Sequence, residues 1–320
     1  MDLTDPTPST EPAIARTTLT DLVACAEARG RAGAPSSEHG SVLSRYLFLF
    51  AGAADELAAA ERGGREFVAC ITEADGSARL DATATVAARD RKSWIVSGVK
   101  CFVPFAARAN TFLVAARGSG KLGVFAVDAR APGVALTPIP TLGLDEQCEI
   151  AFDQSPAIAV ATDATDALEQ AIARALITLC GEAVGAAHAA LDHTVEHVTT
   201  REQWSAPIGT FQAVQHRCAD MLIDVTTARD AVYDAAGAVD RGEDAQLAAS
   251  RAKAFAIDAC RRVTTAAHQL NGGEGIYADQ PVHLWYRRVK AIEPMYGSPD
   301  FHRARVAAAL LGSRGEPNND

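Results

Sequence analysis

The chain has 320 residues, 48% of them hydrophobic and 22% charged, with a formal net charge of −10. That length allows two or three domains or one composite unit with a sizeable core, and the acidic balance makes the whole molecule a poor nucleic-acid binder. The seven cysteines form no Cys-x-x-Cys pair, which argues against a zinc knot or disulfide framework and for reduced thiols in the cytoplasm.

Residues 1–15 are rich in Thr, Pro, Ser and acid and read as a flexible tail. Residues 16–66 read as a short helical region, with Leu22, Cys25 and Ala26 at helical spacing and turn residues between Gly30 and Gly40. The apolar run from Tyr46 to Phe50 continues as a buried helix through Leu57. The longest apolar run, 46–54, is too short to cross a bilayer and is followed by Asp55 and Glu56, so neither a signal peptide nor a membrane span is expected.

At Phe67 the period changes. Residues 67–71 form a short apolar run, and Ala78, Leu80, Ala82, Ala84 and Val86 alternate with polar neighbours. Further strands are expected at 94–98, ending in a turn at Gly98, and at 99–103, 111–115, 122–127, 134–139 and 149–152. Short strands without intervening helices predict an antiparallel β-barrel or sandwich over 67–160. From 161 to the end the chain is helical, with helices predicted over 164–201, 211–241, 244–270, 280–292 and 299–311. Gly242 and Gly272-Gly273 punctuate them. Long amphipathic segments with short links predict an antiparallel bundle.

The stretch 201–215 carries the first functional signal. Arg201 and Trp204 end one predicted helix, a Pro-Ile-Gly turn follows, and Phe211-Gln212 opens the next. A charge, a flat ring and free amides beside a helix start suit a phosphate-bearing ligand with an aromatic head. A second signal is Gln269-Leu-Asn-Gly-Gly-Glu-Gly-Ile276, whose glycines let a ligand approach the backbone. The third is the basic helix 281–290. Taken singly, an Arg and a Trp at a helix end are usually surface residues, and a Gly-Gly is usually a helix stop. His188, His193, His197 and His216 lack clustered acids and read as bundle residues rather than metal ligands.

Order and spacing together resemble the acyl-CoA dehydrogenase family. Arg201-x-Gln203-Trp204-x-x-Pro207-Ile208-x-x-Phe211-Gln212 is similar to its Arg-x-x-Phe-Gly-x-Pro-Ile-x-x-Phe-Gln signature, and Ala219-Asp220-Met221 also matches. Residues 269–275 are similar to its Gln-x-x-Gly-Gly-x-Gly loop. Ile71-Thr72-Glu73 resembles the start of its flavin loop, and 97–103 resembles its Asn-Gly-x-Lys-x-Trp-Ile-Thr strand. The similarity runs over about 67–312, and the N-terminal helical region is shorter than the family norm.

The resemblance implies a mainly α fold with a central β-domain: shortened N-terminal helices, an antiparallel β-barrel and a C-terminal antiparallel four-helix bundle. It implies FAD shared at a subunit interface, α-proton removal by a glutamate and hydride transfer to the flavin. One subunit's β-domain holds the flavin ring, and the neighbour's bundle holds the pyrophosphate and adenosine. By resemblance Arg201 and Gln203 would contact the pyrophosphate, Trp204 would pack on the cofactor, and Ile208, Phe211 and Gln212 would line its adenosine end. Gln269, Gly272 and Gly273 would add close backbone contacts, and Ser298 and Asp300 fall at flavin-adjacent positions.

The half kept for the chain's own flavin departs from the family. The loop Thr-Glu-Pro-Gly-x-Gly-Ser-Asp is replaced by 72–79, with Ala78 in place of a pyrophosphate-binding serine. Trp-Ile-Thr becomes Phe102-Val103-Pro104, and proline removes a hydroxyl and a backbone donor. The two expected positions for the base hold Tyr296 and Ala175, and an unperturbed tyrosine has a pKa of ~10.

The sequence therefore reads as a subunit of an FAD-dependent acyl-CoA dehydrogenase complex without its own base. It is expected to pair with a homologous catalytic chain as α2β2, with acyl-CoA bound mainly by that partner and an electron-transfer flavoprotein as acceptor. Such split enzymes resemble those that actinobacteria use on steroid side-chain CoA thioesters. Two alternatives stand beside it: a homo-oligomeric dehydrogenase with Glu293 or Glu182 as an unusual base, and a flavin-free structural or acyl-CoA-binding protein.

Overall fold

Four helices come first in the computed structural model, which describes residues 12–33, 38–62, 66–76, 79–91, 93–143 and 145–312. They are α1 (Ala13–Arg16), α2 (Leu19–Ala32), α3 (Glu38–Phe50) and α4 (Ala54–Arg62). Thr18 caps α2 by accepting from Asp21 N, as its hydroxyl-bearing side chain and non-helical backbone favour. The buried run after Tyr46 is two helices rather than one: the chain turns at Gly52, with φ 70°, before α4 begins.

Strands follow: β1 (Phe67–Cys70), β2 (Val86–Asp90), β3 (Ser93–Pro104), β4 (Thr111–Gly118), β5 (Lys121–Asp128), β6 (Val134–Ile139) and β7 (Gln147–Ala161). The order β4-β2-β3-β7-β5 closes into a ring because β5 returns to β4, while β1 and β6 are added on β4 and β7. Closure removes the free edges of the central strands. Phe112, Val114, Phe125, Val127, Ile150 and Phe152 fill the barrel. The pairings are antiparallel except that β1 and β2 both run parallel to β4. Alternation fixes which face is buried but not the direction of a partner strand.

Two strand expectations are corrected. The alternating stretch before Val86 is a 3₁₀ turn at Leu80–Ala82, and the strand starts only at Val86. There the guanidinium of Arg117 donates to the carbonyls of Thr83 and Asp81, so those acceptors are satisfied outside a ladder. The turn expected at Gly98 is absent, because β3 runs through it with a bulge. Gly98 has φ 147°, and a Cβ there would lie 2.7 Å from Thr85 Oγ1.

The remaining elements are α5 (Thr165–Thr200), the hairpin β8 (Glu202–Gln203) and β9 (Ala206–Pro207), α6 (Gln212–Asp240), α7 (Ala245–Asn271), α8 (Val282–Ile292) and α9 (Pro299–Gly312). They follow the predicted helices closely. α5 is central, packing on α2, α3, α6, α7 and α8. By length and composition α5 is apolar enough to cross a membrane, but 89% of that window is buried inside the protein, where it forms the bundle core.

Two contacts fix how the layers meet. At the α2–α5 crossing the backbones touch: a Cβ on Gly185 would lie 1.9 Å from Glu27 O, and one on Gly30 would lie 1.9 Å from Glu182 O. Arg288 on α8 then joins Glu182 on α5 through Nε and Asp145, between β6 and β7, through Nη1 at 3.3 Å. All three side chains are 3% exposed. Burial pulls the Asp145 carboxyl upward, but the Gln147 hydrogen bond, the Arg288 charge and the Thr141 hydrogen bond hold it below the usual carboxylate range.

Gly185→Ala should lower stability by at least the roughly 1–3 kcal/mol of an overpacked core. Gly237→Ala, whose Cβ would meet only the flexible Arg241 side chain at 3.2 Å, should be neutral or stabilising. Urea unfolding of the two variants checks this. Equal midpoints would contradict the close crossing.

Candidate functional site

The end of α5, the β8–β9 hairpin and the glycine turn after α7 converge on one shallow cavity of about 370 Å³. It is lined by Arg201, Gln203, Ile208, Gly272, Gly273 and Glu274, among others. The hairpin places these residues: Ile208 N donates to Arg201 O at 2.9 Å, and Trp204 and Ser205 make a tight turn with φ 51° and 62°. Such a turn requires two residues at positive φ, and it lifts the Trp204 ring to 84% exposure. Trp204 meets Phe211 edge to face at 5.8 Å. Gln212 and Gln269 are exposed at the adjoining helix ends, outside the cavity lining.

The cavity suits an anion. Around Gly272 and Gly273 a Cβ would meet nothing within 4 Å, so the backbone is open to a ligand. Arg201 is half exposed, and among the described residues its guanidinium pairs with Glu274 alone, at 3.3 Å. An exposed pair of this kind is worth roughly 0–1 kcal/mol, so a pyrophosphate carrying more charge can displace the carboxylate. Arg201, Gln203 and the open backbone at Gly272 and Gly273 thus fit the phosphates of FAD, and the bare Trp204 and Phe211 rings fit its flat end. Arg201, Gln203, Gly272 and Gly273 are all exposed, so the site is open to solvent.

The predicted residues Ser298 and Asp300 do not line this cavity. They belong to the start of α9, where Ser298 Oγ accepts from Phe301 N at 3.2 Å and Asp300 pairs with Arg303. The predicted cofactor set therefore divides into two groups. With the second group goes Tyr296, whose ring packs on the same apolar cluster that buries Ala175.

The Tyr296 hydroxyl lies 3.0 Å from His39 Nε2. His39 carried no sequence signal, because it sits far away in the chain in a stretch without a motif; only the packing of α3 against α5 reveals it. Burial pushes the Tyr296 hydroxyl well above its ordinary value, so it stays protonated. Burial, with the Arg288 and Lys253 charges, brings His39 down to about 3, so it stays neutral. The other carboxylates near this region are engaged: Glu182 with Arg288, and Glu293 with Lys290 at 2.5 Å.

A second cavity, about 360 Å³, lies against the β-domain and is lined by Thr72, Phe102, Thr141, Leu142, Met295 and Tyr296, among others. Its strand backbone offers few donors. Cys101 N is used by Thr72 O at 2.9 Å, and Pro104 has none. Lys100 is also engaged, donating to Glu73 Oε1 at 2.6 Å and to Ile71 O at 3.0 Å. Neither Cys101 N nor Lys100 Nζ is therefore free to donate to a flavin here. Ala78 lies outside the described residues.

Residues 164–311 match the acyl-CoA dehydrogenase C-terminal domain, and residues 69–155 match the acyl-CoA dehydrogenase middle domain. The chain belongs to the acyl-CoA dehydrogenase family. A probable acyl-CoA dehydrogenase, FadE25 of Mycobacterium tuberculosis, is 31% identical over 260 residues, a stretch covering 75% of this chain and 66% of that protein. The Tcur3481-Tcur3483 steroid ACAD G363A variant superposes with a TM-score of 0.84 at 28% identity, over 93% of this chain and 82% of the other. The ChsE4-ChsE5 complex from Mycobacterium tuberculosis superposes with a TM-score of 0.84 at 26% identity, over 93% and 81%.

Acid should destabilise the fold through its buried histidines. Burial and the Lys253 charge lower His302 to about 4, below its unfolded value of about 6.5. A depressed pKa leaves the unfolded chain binding more protons, so stability is intact above pH ~6.5 and falls toward pH ~4 by about 1.4 kcal/mol per pH unit. His302→Gln should remove that share of the slope. Urea unfolding between those pH values checks it, and an unchanged slope would contradict the assignment.

Proposed function

We propose that this chain is the non-catalytic subunit of an FAD-dependent acyl-CoA dehydrogenase complex. Its bundle would complete the FAD site of a homologous catalytic subunit, in an α2β2 assembly. The observation that carries this reading is the contrast between the two groups of site residues. Arg201, Gln203, Gly272 and Gly273 form an open phosphate site with an exposed Trp204 beside it. The positions that should supply a base hold a buried alanine and a protonated tyrosine.

When bound, FAD supplies the hydride acceptor for α,β-desaturation of an acyl-CoA thioester. This chain's part is to bind and orient. The Arg201 guanidinium and the open backbone at Gly272 and Gly273 would hold the phosphates, and the Trp204–Phe211 pair would shield the far end from water. Proton removal falls to the partner, which also holds most of the acyl-CoA. A steroid-type thioester is part of the same reading, supported by the likeness to a steroid ACAD and to a two-chain complex, and an electron-transfer flavoprotein as acceptor follows from the family resemblance.

An unusual base in this chain is disfavoured. Glu182 is locked by Arg288 beneath two helices, and Glu293 by Lys290 outside the β-domain cavity lining.

The reading is tested by co-expressing the chain with a homologous catalytic chain. Arg201→Ala removes a charged hydrogen-bond donor worth about 1.5–3 kcal/mol. FAD affinity of the complex should fall roughly ten- to hundredfold with assembly unchanged. Unchanged FAD affinity, or a yellow and active lone chain, would overturn it.

A further inference from the structure

One carboxylate stands inside the phosphate cavity itself. Among the described residues that line it, Arg201 is the one permanent cation and Glu274 the one carboxylate. The two meet: Glu274 Oε1 accepts from Arg201 Nη1 at 3.3 Å. The other oxygen, Oε2, lies 3.5 Å from His197 Nδ1. His197 and Arg201 are four positions apart, so the end of α5 presents both to the same side. Arg201 N, donating to His197 O at 2.8 Å, closes that last turn.

The turn that carries Glu274 is held from behind. Its carbonyl accepts from Tyr277 N at 3.3 Å, and a Cβ on Gly275 would lie 3.0 Å from His268 O, so the backbone sits against α7. The side chains of Arg201 and Glu274 are 51% and 42% exposed, so either can turn into solvent without disturbing that backbone.

Nothing else in the lining can take the place of Arg201. Asn271 spends its amide on Thr194 Oγ1 at 3.1 Å and Ala267 O at 2.8 Å, inside the bundle. Gln203 is neutral, and Ile208 and Leu270 are apolar. While Glu274 holds Arg201, the cavity therefore offers a passing anion no uncompensated charge. A ligand phosphate and the Glu274 carboxylate need the same guanidinium, and two anions placed there together repel. The glycine loop does not require an acid at this point, since its pattern Gln-x-x-Gly-Gly-x-Gly leaves position 274 open.

We propose that Glu274 is a resident competitor for the phosphate cavity: it neutralises Arg201 in the unloaded chain and must swing out before a pyrophosphate-bearing ligand binds, which holds down the affinity of the lone chain. This role rests on the cavity being a phosphate site, and adds to it the side chain that sets its affinity.

Calorimetric titration of the full chain with inorganic pyrophosphate at low ionic strength tests it. Glu274→Gln keeps the shape and loses the charge, and it should tighten binding about fivefold, the upper range for release of an exposed ion pair. Glu274→Ala should give the same gain, since no contact from a new amide is involved. Arg201→Gln should weaken binding, and in that background Glu274→Gln should retain little of its gain, because the competitor has lost its target. Equal affinity with and without the carboxylate, a gain with glutamine but not alanine, or the same gain in the absence of Arg201 would overturn the competitor and leave the phosphate site intact. Pyrophosphate binding by no variant, or binding indifferent to Arg201, would overturn the site and the competitor together.

Discussion

The fold turns on one buried cation. Arg288 reaches from α8 to Glu182 on α5 and to Asp145 beside the barrel, with all three side chains almost wholly out of water. Taking such charges from water costs several kcal/mol each, and removing one partner leaves the rest uncompensated. Bundle and barrel can therefore meet in only one register. That register sets the floor of the β-domain cavity, since the 140–147 segment that carries Asp145 lines it with Pro140, Thr141, Leu142 and Gln147. It also sets where α8 ends and hence where Tyr296 stands. A second buried cation finishes this work: Lys253 donates to Ile292 O at 2.7 Å and to Met295 O at 3.2 Å, satisfying carbonyls that the end of α8 leaves orphaned. Burial lowers its pKa to about 8. Burial, together with these two cations, keeps His39 neutral.

Much of the architecture was legible in the residues. Helical periodicity and glycine punctuation located α5 to α9 closely, because long helices repeat one pattern many times. The strands were legible as short apolar or alternating runs, but not their partners. The parallel pairing of β1 and β2 with β4 depends on barrel closure, which no local pattern encodes. The alternating stretch before Val86 failed for a similar reason, since a distant guanidinium, Arg117, claims its carbonyls.

The candidate site was legible where it is built from contiguous residues. Arg201, Gln203 and Ile208 lie on one hairpin, and Gly272 and Gly273 on one turn, so motif spacing carried them together. Two features needed the fold. Glu274, on the glycine loop, faces Arg201. His39 reaches Tyr296 across 257 positions of sequence. Ser298 and Asp300, at the start of α9, do not line the cavity that Arg201 lines.

An open phosphate site, beside an inner site with a sealed tyrosine in place of a carboxylate, supports the proposal that the chain serves a neighbour's cofactor. The most direct measurement is the number of FAD molecules in the purified native complex with its homologous partner, read from flavin absorbance against protein mass. The account predicts one FAD for each pair of unlike chains. One FAD for every chain, with this chain's own β-domain occupied, would contradict it.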